Sequence, residues 1–365
     1  MTGNGRHRIL MTLDAVGGVW QYAMGLAREL KRGGHSIIFA GLGPTPSPAQ
    51  HAEASAIGTV TWLSTPPDWL ARSAKELEGL PAELSKLVEE HAIDLVHLNA
   101  PSQAVGLNVP CPVAAVSHSC VVTWFQAVRG EPPSDGDWAW HKDVNADGLK
   151  RADIAIAPSA SHAEALKRSY GEIPHLHVVH NAVEAAPVET RRERMVSAAG
   201  RWWDEGKNGR ILDAAAGRID IPIFAAGPTR GENGSGIFFT HVMGVGPLSN
   251  AETRELMAQS SIFVSPSIYE PFGLAALEAA HAATPLILAD IPTYREVWGD
   301  AAVFVDPHDA EDLAEAIQQL MGNPQKREAL GQAAREQASR YTLARQAAEM
   351  QALYAGAVAR YRNGS

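Results

Sequence analysis

Cysteine is nearly absent from this 365-residue chain, with Cys111 and Cys120 the only two. Two isolated thiols make neither a disulfide framework nor a zinc site, so both read as interior thiols. An excess of positive charge is missing too: 31 Lys and Arg stand against 41 Asp and Glu, a formal charge of −10. That balance argues against broad electrostatic binding to nucleic acid or anionic lipid. No apolar run approaches the roughly 18 residues a membrane span needs, and no apolar signal core follows the first basic residues. There is no low-complexity tract, no G-x-G-x-x-G fingerprint and no Walker loop. With 45% hydrophobic residues, the expectation is a soluble cytoplasmic protein large enough for two domains with separate cores.

What is present is organised around Ser261–Ala283. Ile262-Phe263-Val264 reads as a buried strand, and a loop carries it to Pro271, where a helix can begin without its amide hydrogen. Gly273 to Ala280 is a strong helix former. The first amides of a helix have no intrahelical partner and the macrodipole adds positive charge there, so a phosphate is expected over Gly273, Leu274 and Ala275. Glu270 and Glu278 flank this cradle about two turns apart. Two solvated glutamates on an amphipathic helix would read the same way. Carboxylates repel phosphate but accept from hydroxyls, so the pair suits a diphosphate with sugars on either side, as in a nucleotide sugar.

The run Glu270-Pro271-Phe272-Gly273-Leu274, with Glu278 eight positions after Glu270, resembles the E-x7-E motif of retaining glycosyltransferases of the GT-B fold, family 4 in particular. The resemblance implies an α/β protein of two Rossmann-like domains facing across a cleft, spanning 1–185 on the acceptor side and 186–342 on the nucleotide-sugar side. Residues 343–365 are then a C-terminal helix crossing back onto the first domain. It further implies that Glu270 faces the donor sugar, that Glu278 holds the ribose, and that Phe272 to Ala275 contact the donor.

Along the chain, Arg8–Leu13 reads as a strand, Asp14 to Trp20 as a glycine turn, and Gln21–Arg32 as a helix. Gly17 and Gly18 are placed by the resemblance against the donor diphosphate; a tight turn is the plainer reading. Residues 42–60 read as an irregular connection. Asp94–Leu98 and Val113–Ser117 read as buried parallel strands, the second ending at His118. A lone His is often a structural hydrogen-bonder, but one just beyond a core strand lies where α/β sheets bind ligands, and the resemblance puts it beside the acceptor. Val121–Asp147 reads as a long aromatic loop, whose Asp135-Gly136-Asp137 fits a solvated turn better than a metal-binding D-x-D. Ala152–Ser159 gives a strand and a serine cap, and Glu184–Arg194 an interdomain linker.

In the second half, Met195–Ala199 is a strand followed by two cations on an exposed turn, Arg201 and Lys207. Arg forks onto diphosphates and Lys sits beside them as a point charge; the resemblance gives both that role. The segment Phe239 to Gly246, Val242 and Gly246 included, resembles the one whose backbone meets the nucleobase. The function expected is transfer of a sugar from a nucleoside diphosphate to an acceptor hydroxyl, with retention and without metal or other cofactor. The acceptor is a glycan, a lipid-linked or a small molecule. A sugar-nucleotide epimerase or hydrolase of the same fold, or a non-catalytic sugar-binding protein, are the rivals.

Overall fold

The computed structural model describes residues 5–134, 136–185, 191–231 and 234–364. It divides into two units, Met1–Ala182 with Leu343–Ser365, and Val183–Thr342. Each is a wholly parallel sheet with helices packed on it. The first sheet comprises β1 (Arg8–Asp14), β2 (Ser36–Leu42), β3 (Thr59–Trp62), β4 (Leu95–Leu98), β5 (Val113–Val116), β6 (Ile154–Ala157) and β7 (Leu176–Val178), in the spatial order 3-2-1-4-5-6-7. The second holds β8 (Glu193–Ala199), β9 (Ile223–Ala226), β10 (Met243–Gly246), β11 (Ser260–Ser265), β12 (Leu286–Ala289) and β13 (Ala302–Val305), in the order 10-9-8-11-12-13.

Both sheets reverse direction of growth once, between β1 and β4 and between β8 and β11. In open α/β sheets ligands bind beyond the strand C-termini at such a switch point. The central strands β4, β5, β6, β11 and β12 are buried along their whole length because both sheet faces are covered. Along β1, Ile9, Met11 and Leu13 enter one core and Leu10 the opposite one. In β11, Ile262 and Val264 likewise face one core and Phe263 the other.

The helix Leu343–Gly364 packs in the first unit, where Ala347, Met350, Tyr354, Ala357 and Val358 join the core formed on β1. Their spacing of three and four residues is one helical stripe.

Three expectations are corrected. Residues 42–60 hold a helix, Pro48–Ser55, and the start of β3; Ser47 and Gln50 close a capping box that overrides the Pro- and Ala-rich composition. The first helix starts at Gly18, not Gln21. Val121–Asp147 is not a long loop but carries the helices Val121–Arg129 and Trp140–Arg151. The aromatics stabilise that arrangement, Trp124 meeting Phe125 edge-on and Trp138 stacking on His141. The expected linker lies partly outside the described residues, and so does Asp135 of the acidic triplet.

Candidate active site

At the switch point of the second sheet Lys207 and Glu270, two of the residues expected at the donor, meet. The loop after β8 carries Arg201 and Lys207; the loop after β11 carries Glu270. They are tied by backbone, as the amides of Ile268 and Tyr269 donate to the Gly206 carbonyl at 2.9 and 3.3 Å. Asn208 adds a third tie. It holds a left-handed backbone, φ 60°, which Asn tolerates, and its side-chain amide donates to the carbonyls of Pro266 at 3.0 Å and Pro307 at 2.7 Å. Lys207 Nζ then ion-pairs with the Glu270 carboxylate, both side chains mostly shielded. Lys207 is therefore not the exposed turn cation expected from sequence. Arg201 is the more open one: its guanidinium lies 3.7 Å from Asp204 and 5.4 Å from the Trp203 ring centre.

The helix beyond Glu270 is Leu274–His281, three residues later than Pro271 suggested, with Gly273 as its N-cap. Gly273 sits at φ 97°, and a Cβ there would lie 2.7 Å from the Tyr294 ring. Glycine is required by backbone conformation and by the closeness of Tyr294. Leu274 and Ala275 carry first-turn amides that have no intrahelical partner. Phe272 is buried and edge-on to Tyr341, so its side chain belongs to the core and not to a ligand surface.

Glu278 lies on the same helix, 9% exposed, and no hydrogen bond from the described residues reaches its carboxylate. Burial pushes its pKa up to about 7, and the charge of Arg254 offsets this only in part. A buried carboxylate without a donor is poised to accept hydroxyl groups.

The segment expected at a nucleobase is built on Asp213. Burial opposes charge there, but the amides of Val242, His241 and Thr240 all donate to the Asp213 carboxylate and hold its pKa below the usual range. Those three N–H groups are engaged within the protein, and the Val242 side chain is buried. Gly246, at φ 74°, accepts from the Gly227 amide at 2.8 Å.

In the first unit, Gly17 caps the helix Gly18–Arg32 at φ 79°, a conformation for glycine, and both glycines are exposed at the C-terminal end of β1. His118, partly exposed beyond β5, bonds through Nε2 to Asn99 Oδ1 at 3.0 Å and meets the Tyr22 ring edge-on at 4.2 Å. Desolvation, helped by the neighbouring His97 and His162, lowers its pKa to about 3, so the imidazole is neutral at physiological pH. Among the described residues no cluster of three or more His, Cys, Asp or Glu is arranged to hold a metal.

Sequence reasoning missed Asn99, Asn208, Asp213 and Tyr294. Asn99 was within reach, standing directly after the strand read at Asp94–Leu98. The others act through contacts distant in sequence, for which a single chain gives no signal.

The chain is similar to known glycosyltransferases in sequence and in fold. Residues 16–186 match the model of Glycosyltransferase Family 4 and residues 240–337 that of Glycosyl transferases group 1. The alpha-maltose-1-phosphate synthase of Mycolicibacterium smegmatis is 24% identical over 74% of this chain and 81% of its own. Among solved structures, sucrose-phosphate synthase from Thermosynechococcus elongatus superposes with a TM-score of 0.80 at 19% identity, over 97% of this chain and 100% of that one. Anabaena HepE, solved with UDP-glucose, gives 0.78 at 15% identity over 96% and 100%. No helix among the described residues is long and apolar enough to cross a membrane. With two family models matching in tandem, one on each parallel-sheet unit, the chain belongs to the GT-B glycosyltransferases of family 4, glycosyl transferases group 1.

Proposed function

We propose that this enzyme moves a sugar from a nucleoside diphosphate sugar to an acceptor hydroxyl, with retention at the anomeric carbon and without a metal cofactor. The observation that carries the reading is the shielded Lys207–Glu270 pair at the second switch point, followed by a helix start with unpaired amides. The UDP-glucose named for HepE supports a nucleotide-sugar donor, and the synthase relative supports transfer to a sugar-derived acceptor.

In the resting site Lys207 neutralises Glu270. A diphosphate gives Lys207 a second anion and releases Glu270 to accept from the sugar's hydroxyls and to face positive charge developing at the anomeric carbon. Arg201 and the amides of Leu274 and Ala275 add to the charge on the leaving group's side. Glu278 accepts the ribose hydroxyls. The bond from anomeric carbon to phosphate oxygen breaks with its electron pair going to the phosphate. The acceptor oxygen bonds on the same face, and its proton passes to that phosphate oxygen. The neutral His118 accepts from a second hydroxyl of the acceptor and so orients it, the attacking hydroxyl's own proton going to the phosphate.

The test is a panel of UDP-, GDP- and ADP-sugars, with nucleoside diphosphate release measured with and without candidate acceptors, and the product's anomeric configuration read by NMR. Acceptor-dependent release with retained configuration is expected. Release that needs no acceptor would make the chain a hydrolase, and binding without release a sugar-binding protein. An inverted product would end the retaining assignment.

A further inference from the structure

Beneath His118 lies a chain of buried polar contacts that the transfer chemistry above does not use. Tyr354, on the helix Leu343–Gly364, is 2.6 Å from His97 Nδ1. His97 Nε2 is 3.2 Å from Asn99 Oδ1, and His118 Nε2 reaches that same oxygen. On the other side, the Asn99 side-chain amide donates to the Thr12 carbonyl. The Asn99 backbone amide donates to Thr12 Oγ1 at 2.8 Å, whose own proton goes to Gln103 Oε1 at 2.6 Å. Asn99, Thr12, His97 and Gln103 are all buried, and Tyr354 is 1% exposed.

These contacts determine where the protons are. The Thr12 carbonyl only accepts, so it must face the NH2 of Asn99, which turns Oδ1 toward both histidines. An amide oxygen also only accepts. Both imidazoles therefore donate from Nε2, and each neutral ring is left with an unprotonated Nδ1. For His97 that nitrogen takes the Tyr354 hydroxyl proton, closing the chain without a conflict. For His118 it has no partner among the described residues and is not sealed off from solvent. The ring itself is held by Tyr22 at its edge.

We propose that Tyr354, His97 and Asn99 are positioning residues that lock His118 as the Nε2–H tautomer, presenting Nδ1 as an acceptor for an uncharged hydroxyl and not for a phosphate or carboxylate. The inference rests on the acceptor role given to His118 above, and it ties that role to the last helix of the chain. A lone pair pointing outward rejects anions and selects groups that donate. The titratable groups facing His118 are Tyr22, His97 and His162, none carrying charge at neutral pH. Among the described residues the Asn99 oxygen is the hydrogen-bond partner that sets the tautomer of the ring.

The experiment uses the full chain with 15N-labelled histidine and long-range proton–nitrogen correlation spectra, which report tautomer directly and do not depend on transferase activity. In the wild type, His118 is expected as Nε2–H with an unprotonated Nδ1, unchanged between about pH 5 and pH 8. Tyr354→Phe removes one oxygen and should mix the tautomers of His97 and, through Asn99, of His118. Its acceptor KM should rise roughly fivefold with donor KM unchanged, the size of one lost neutral hydrogen bond. Asn99→Leu should abolish the Nε2–H preference outright. Asn99→Asp should keep it and draw a second proton onto the ring near neutral pH. A wild-type His118 found as Nδ1–H or as imidazolium at neutral pH overturns the proposal. So does a Tyr354→Phe protein whose histidine spectra match the wild type, and that variant decides the matter if Asn99→Leu fails to fold. A correct tautomer in a chain that transfers no sugar would leave the lock standing and reject only the acceptor role.

Discussion

The two units share a strand order yet place opposite chemistry at their switch points. In the first, at the ends of β1, β4 and β5, the groups that exchange hydrogen bonds are neutral: Thr12, Asn99, His97 and His118 are linked, and burial keeps both imidazoles uncharged, while the Asp14 carboxylate is turned to the Val16 amide. In the second, beyond β8 and β11, the groups carry charge: Lys207 on Glu270, Arg201 by Asp204, and Glu278 buried nearby in sequence without a donor. A neutral site orients hydroxyls, and a charged one holds a diphosphate and meets charge that appears only during reaction. On the function proposed above, the same fold would serve two ligand classes by changing a few residues after the central strands.

The comparison is most directly broken by exchanging charge for nothing at the second switch point. Glu270→Ala should lower turnover by about 10²–10³-fold. Its affinity for free nucleoside diphosphate should hold or rise, because Lys207 is released from its partner. Lys207→Ala should weaken that affinity by about 10- to 100-fold, as for loss of a charge-assisted contact. Calorimetric titration beside initial rates checks both; equal loss of diphosphate affinity in the two variants would separate the pair from the donor site.

Acid should then divide the units. His97 and His162 have pKa values lowered to about 4 and His118 to about 3, all by burial in the first unit. Unfolded histidines bind protons below about 6.5 and these folded ones do not, so their stabilisation is complete above that pH and is lost as pH falls toward 4 and 3. Hydrogen exchange read by mass spectrometry at falling pH should show β1, β4 and β5 losing protection before β8 and β11. Simultaneous loss would mean that the histidine network does not govern acid stability.

A smaller effect of the opposite sign belongs to Glu278. Its raised pKa means that the folded state holds a proton the unfolded chain releases above about 4.5, so stability falls as pH rises from there to about 7. Glu278→Gln should therefore melt above the wild type at pH 8 and match it near pH 5, by at most about 3 kcal/mol. The same variant should bind nucleoside diphosphate more weakly and lose the part of its pH dependence that comes from ionising the carboxylate. Differential scanning calorimetry and titration at the two pH values test this, and a variant less stable at pH 8 would contradict it.

The smallest expected effect is none. If Lys207, Arg201 and the helix amides carry the leaving-group charge, EDTA should leave the rate unchanged. A rate lost to EDTA and restored by magnesium or manganese would show that the charged site works through a metal.

Much of this was legible in the sequence because it is local. Apolar runs such as Ile262-Phe263-Val264 mark strands buried on both faces, and the capping serine Ser159 marks a helix start where the structure has one, accepting from the His162 amide at 3.0 Å. The motif Glu270 to Glu278, together with Arg201 and Lys207, carried the resemblance to the family. The capping box at Ser47 was present in the sequence and outweighed by composition, an error of reading and not of information. The start at Leu274 was not legible: Pro271 satisfied the rule for a first helical residue, while Gly273, forced left-handed beneath Tyr294, set the true boundary.

What the sequence alone determined, then, is two α/β units, most of their strands, and which residue types stand after the central ones, because hydrophobic period and turn chemistry act over a few residues. Only the tertiary structure decided that Lys207 closes on Glu270 across 63 positions, that Glu278 is buried without a donor, and that Tyr354 meets His97 across 257. Parallel strands require long crossovers, so the residues that meet at a switch point are far apart along the chain. Their protonation and partners are set by burial and proximity, which exist only once the sheets have formed.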